Sequence, residues 1–123
     1  MSDESDLMPS MAQAIDFVGA FDEVARLCHE NAKDKGFWPS EGRNDGELIA
    51  LLHSEASEAL EAIRRGNPPS DHIPTFSGAE EELADIIIRI MDMAIARGWS
   101  VPAAIIAKMA FNATRPPKHG KAF

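Results

Sequence analysis

The chain has 123 residues, 45% of them apolar, which fits one domain with a working core and a thin stability margin. Twenty Asp and Glu against twelve Lys and Arg give a formal net charge of −8, and Tyr is absent. Nucleic-acid polymers are held by clustered cations and stacked aromatics, so this composition argues against DNA or RNA as the main partner. A small phosphate ligand is still compatible, because divalent cations can stand between carboxylates and phosphates.

Cys28 is the sole cysteine, so no intrachain disulfide forms and nothing points to an oxidising compartment. The longest apolar run falls far short of a membrane span. Met1 to Pro9 carries Asp3, Glu4 and Asp6 without an apolar core, which does not read as a secretory signal. The cytoplasm is the expected location, with no membrane partner. Residues 1–9 read as a disordered acidic tail, and 10–123 as one domain.

Four helices are expected. The first runs from about Ser10 to Lys35, opened by a Ser10/Gln13 capping box and closed by Gly36. Val18, Phe21, Ala25, Cys28 and Ala32 mark its apolar face. A loop with Phe37, Trp38 and Pro39 follows. The second runs from Asp45, read as its N-cap, to Arg65, with Gly66 as its stop. Three prolines make 67–77 a loop. The third starts at Ser77, where Glu80 completes a capping box, and ends near Gly98. Its apolar residues, from Leu83 to Ile95, cover more than half of the circumference, so it needs neighbours on more than one side. The fourth runs from Ser100 to Thr114, stopped by Pro116 and Pro117. No strand pair is legible. The expected fold is all-α, an antiparallel four-helix bundle-like protomer that packs into a dimer or tetramer.

Two pairs of carboxylates stand out. The second helix reads Glu55-Ala56-Ser57-Glu58 and the third Glu82-Leu83-Ala84-Asp85. Spacing of three places both acids of a pair on one side of a helix, near the edge of its apolar stripe. Such pairs are usually a solvated face. If the helices pack side by side, however, four carboxylates converge, and hard oxygen-seeking cations such as Mg²⁺ or Mn²⁺ would relieve their repulsion. Asp92, two turns beyond Asp85, reaches such a site only at a stretch. Glu81 and Glu61 read as surface. No Glu-x-x-His occurs before His29, His53, His72 or His119, which disfavours a di-iron bundle. Zinc is disfavoured by the single cysteine and the unpaired histidines.

Lys108, Asn112 and Arg115 share one polar face of the fourth helix, and His119 and Lys121 follow. This cation cluster reads either as a phosphate clamp or as a solvated helix end that suits the macrodipole. Lys33 and Lys35 carry the same ambiguity. Phe37 and Trp38 read as a lid on the core or as a wall for a nucleobase. His29 and Asn31 face a similar region.

These residues together resemble the MazG-like all-α nucleoside triphosphate pyrophosphohydrolases. That family carries Glu-x-x-Glu, a spacer, then Glu-x-x-Asp, here Glu55/Glu58 and Glu82/Asp85. Asn112-Ala-Thr-Arg115-Pro116 with Lys118-His119-Gly120-Lys121 resembles its C-terminal stretch, and Lys35-Gly36-Phe37-Trp38 its loop after the first helix. The likeness spans roughly residues 20 to 121. It implies Mg²⁺, with Mn²⁺ as substitute, on Glu55, Glu58, Glu82 and Asp85. It implies substrate contacts from Lys35, Trp38, Lys108, Asn112, Arg115 and Lys121, and an active site beside or across a subunit interface. The implied reaction is hydrolysis of a (d)NTP at the α-phosphorus to a monophosphate and pyrophosphate, with Glu55 or Glu58 as general base. An open aromatic loop suits a large base, so a purine deoxynucleotide such as dGTP is the leading substrate, with dCTP or dUTP as the pyrimidine alternative. Phosphoribosyl-ATP hydrolysis and a non-catalytic helical nucleotide-binding dimer are the competing functions.

Overall fold

The computed structural model describes residues 3–123, and among them every element is helical. The long helices are α1 (Met11–Asp34), α2 (Asp45–Arg64), α3 (Gly78–Arg97) and α4 (Val101–Ala113). Ser10 caps α1 and Ser77 caps α3, each through a reciprocal capping box with Gln13 or Glu80 as expected. The cap of α2 is Asn44, one residue before the expected Asp45: its side chain accepts from the Glu47 amide at 3.1 Å. Gly98 closes α3 in the left-handed region at φ 69°, a conformation that costs a side chain more than it costs glycine. Of the expected acidic tail, Met1 and Ser2 lie outside the described residues. Glu4–Leu7 forms one 3-10 turn, capped by Asp3 and seated near α4.

Helix α3 lies between α1 and α2, which explains why its apolar arc is so wide. Phe21 and Ala25 of α1, Leu48 of α2, and Met93 and Ala94 of α3 are buried. Where the end of α2 meets the start of α3, the buried residues are Ala59, Ala62 and Ala79. A Cβ on Gly78 would meet the Ala62 Cβ at 3.1 Å, so small residues set a close approach there. Asn67 reinforces the corner by accepting from the Ala79 amide at 2.9 Å.

The fourth helix departs from the expected bundle. The short link 98–100 turns the chain, and α4 leaves α3 at a bend of 112°. It packs on α1 and on the 3-10 turn instead of closing a four-helix core. Pro102 is its sole buried residue. Large apolar side chains consequently stay exposed on all four helices, among them Ile15, Leu60, Leu83, Ile87 and Phe111. No single helix is long and apolar enough to cross a membrane.

Candidate metal centre and adjoining cleft

The Ala62–Gly78 contact sets the level of the carboxylates. Helices α2 and α3 run antiparallel from it, so seven residues back along α2 is Glu55 and seven residues on along α3 is Asp85. Both lie about 10 Å from the corner, on facing helices. By the same count Glu58 stands level with Glu82. Ligand oxygens of Glu55, Glu82 and Asp85 all lie within 4.8 Å of one another. Three of the four expected ligands therefore converge. Glu58 is exposed and stands outside this trio, at a second cleft that it lines with Glu82, Arg65 and His72.

Crowding leaves its mark on protonation. Glu82 is pushed up to about 7, by burial first, then by sharing a proton with Glu55 and by the charges of Glu55, Asp85 and Glu81. Burial and the Glu55 charge also raise Asp85 above the ordinary carboxylate range. The trio thus resists carrying its full negative charge unaided. An all-oxygen donor set under this strain fits a hard divalent cation.

The cation that does face the trio is one the sequence reading passed over. Arg89, one turn beyond Asp85, places Nε and Nη2 each at 3.1 Å from Glu55 Oε1. Glu55, Asp85 and Arg89 line an open cleft of about 200 Å³. Asn31, Phe37 and Arg43 line it from the far side. Cys28 also lines it, but burial pushes its thiol up, which keeps it a poor nucleophile.

The loop aromatics divide their roles in a way the sequence did not reveal. Trp38 turns away from the cleft: its Nε1 donates to Asp92 at 2.8 and 3.0 Å. The guanidinium groups of Arg43 and Arg97 lie over its ring at 5.3 and 5.6 Å. Its faces are engaged by protein, and of the two loop aromatics it is Phe37 that lines the cleft and is exposed. Asp92 is buried and also sits 2.7 Å from His29 Nδ1, so its carboxylate is occupied by protein partners instead of reaching for a metal. Arg97 ties the network down, bonding Asp45 and the Arg43 carbonyl, each at 2.6 Å.

The other expected substrate contacts stand away from the trio in this chain. Lys35 is exposed and lies 3.8 Å from Asp34. Lys108 and Arg115 both sit over the exposed Phe111 ring, at 4.4 and 5.3 Å. Asn112 beside them holds a buried Oδ1 without a hydrogen-bond partner. Lys121 follows a turn at Pro117–Gly120 and is exposed. No α4 residue lines either cleft beside the carboxylates. Glu81, expected to be solvated, is a loop anchor: it accepts from Ser70 Oγ at 2.5 Å and sits 2.7 Å from His72 Nδ1. No protein-family model, curated protein or solved structure matches this chain.

Proposed function

We propose that this chain is a divalent-metal-dependent nucleoside triphosphate pyrophosphohydrolase of the MazG-like kind, acting on a (d)NTP to release a monophosphate and pyrophosphate. The observation that carries the reading is the convergence of Glu55, Glu82 and Asp85, two helices contributing oxygens to one point beside an open cleft that Phe37, Asn31 and two arginines line. These three residues would hold Mg²⁺ or Mn²⁺, with Glu58 within the next turn. A bound cation there supplies Lewis acidity toward the α-phosphate and lowers the pKa of a water.

The chain's own groups account for the remainder. Phe37 offers a face for a base and Asn31 an amide for its edge or for the ribose. Arg43 and Arg89 bring two cations into the cleft. The water oxygen bonds to the α-phosphorus, the bond to the bridging oxygen breaks, and pyrophosphate departs. The water's proton goes to a carboxylate, for which Glu58 stands outside the trio. A homodimer or tetramer is part of the proposal. Lys108 of α4 and the cations that follow the helix, Arg115 and Lys121, are then brought to the carboxylates by a neighbouring copy. A purine deoxynucleotide such as dGTP is the leading substrate.

The test is incubation of the purified protein with Mg²⁺ or Mn²⁺ and each common NTP and dNTP, with products resolved by ion-exchange chromatography. Monophosphate and pyrophosphate in equal amounts, abolished in Glu82→Gln, are expected. Turnover of phosphoribosyl-ATP alone would transfer the fold to that reaction. No turnover of any of these, with no metal-dependent stabilisation, would leave a non-catalytic binding dimer.

A further inference from the structure

The proposed reaction gives Arg89 no task while the carboxylates are free, yet its guanidinium is already spoken for. Both of its bonding nitrogens, Nε and Nη2, converge on one oxygen, Glu55 Oε1, at 3.1 Å each. That differs from the forked pairing in which each nitrogen meets its own carboxylate oxygen, the geometry that gives Arg–carboxylate pairs their strength. The Arg89 side chain is 35% exposed and the Glu55 side chain 15%, so the cation stands on the solvent side of the pair. Arg89 also lines the same cleft as Arg43, Phe37 and Asn31.

Resting on the metal-site reading above, we propose that Arg89 is an exchangeable counter-cation. It neutralises Glu55 while no divalent cation is bound. When Glu55 turns to a divalent cation, the guanidinium is released into the cleft and pairs with a phosphate of the nucleoside triphosphate. While Nε and Nη2 are held on Glu55 Oε1, that edge of the guanidinium is closed to a phosphate, and release of Glu55 opens it. The site then keeps its charge in balance through the cycle. Three crowded carboxylates are met by an internal cation when empty, and by a metal when loaded. The freed arginine offsets the phosphates the metal brings with it. Spacing supports the assignment. Glu82, Asp85 and Arg89 fall at i, i+3 and i+7 on α3, one stripe facing α2, so the long side chain can swing between Glu55 and the cleft without moving backbone.

The experiment uses the full chain in its native assembly and measures two affinities by calorimetry. One is for Mn²⁺ alone; the other is for a non-hydrolysable α,β-methylene dNTP with Mn²⁺ saturating. Arg89→Met removes the competitor, so Mn²⁺ alone should bind about five-fold tighter or more, the scale of a part-exposed ion pair. The analogue should bind about ten-fold more weakly, as a lost phosphate contact requires. Arg89→Lys keeps the charge but not the paired donors, and should fall between. It also serves as the reporter if Arg89→Met does not fold. Unchanged or weaker Mn²⁺ binding in both variants would overturn the exchange and make Arg89 a brace for Glu55. Tighter Mn²⁺ binding with unchanged analogue affinity would overturn the phosphate contact. A wild-type protein that binds no Mn²⁺ at millimolar concentration would bring down the metal-site reading itself, and Arg89's role with it.

Discussion

Glu82 is the residue on which the electrostatics of the site concentrate. Its carboxyl titrates near 7 in the folded chain, against an ordinary 4.5, because it is desolvated and shares a proton with Glu55. Between those pH values the folded state holds a proton that the unfolded chain has released. Stability from this group is therefore complete below 4.5 and is lost as pH rises through 7. Raising the pH from 5 to 8 in EDTA should destabilise the protein by about 1–2 kcal/mol through Glu82, allowing for solvent screening. His72, raised chiefly by its bond to Glu81, contributes a loss in the same direction, so the comparison must be with Glu82→Gln. That variant should show a flatter dependence of Tm on pH, and Mg²⁺ should flatten the wild-type curve too. Parallel curves for wild type and Glu82→Gln would remove Glu82 from the cause.

Spacing made part of this site legible. The intervals within Glu55/Glu58 and Glu82/Asp85 follow helix geometry, and two helices that pack antiparallel bring three of the four together. Arg89 lies on the same stripe, at i+4 from Asp85, but it is embedded in a run of isoleucines that reads as apolar face. The choice between Phe37 and Trp38 was not legible at all. A loop has no period, and which aromatic faces the cleft is decided by Asp92, 54 residues along the chain from Trp38.

At the scale of elements, start and stop signals served well because capping chemistry is local. Ser10, Ser77, Gly66 and Gly98 act where the sequence places them, and the slip from Asp45 to Asn44 reflects two adjacent residues both fit to cap. The direction of α4 was not legible, since a few residues between helices fix a bend only through backbone angles such as that of Gly98. What joins the elements around the cleft is Asp92. From α3 it holds His29 of α1 and Trp38 of the loop that presents Phe37 and Arg43. Asp92→Ala leaves the Trp38 N–H and the His29 ring without their acceptor in a buried place. The expected cost is about 2–4 kcal/mol in urea unfolding, with KM for the nucleotide rising as the loop loosens. Asp92→Asn retains an oxygen for Trp38 and should cost less. Equal stability of Asp92→Ala and wild type would mean the loop is held by Arg97 alone.

The whole chain exposes 8766 Å² for a mass of 13.4 kDa. A compact monomer of that mass exposes about 6,500 Å², so roughly 2,300 Å² is in excess. A standard interface covers about 800 Å² per partner, and obligate ones considerably more. The excess is apolar in character: Ile105 and Met109 of α4, Leu83 and Ile87 of α3, and Met11 and Ile15 of α1 are all exposed. Lys108 of α4 and Arg115, just past its end, lie over the exposed Phe111 ring, while the acidic trio sits on α2 and α3. Burial of the apolar faces and neutralisation of the acids would both be met by the association of copies proposed above. Sedimentation velocity at micromolar concentration should therefore find a dimer or tetramer and no significant monomer. Met109→Glu, a charge on the exposed α4 face, should dissociate it and lower Tm. Mixing inactive Glu82→Gln with inactive Arg115→Ala should restore activity, since some assemblies then pair intact carboxylates from one copy with an intact α4 from the other. Restoration requires that the two halves of the site come from different copies. A stable monomer with full activity would instead require α4 to swing across α3 within one chain.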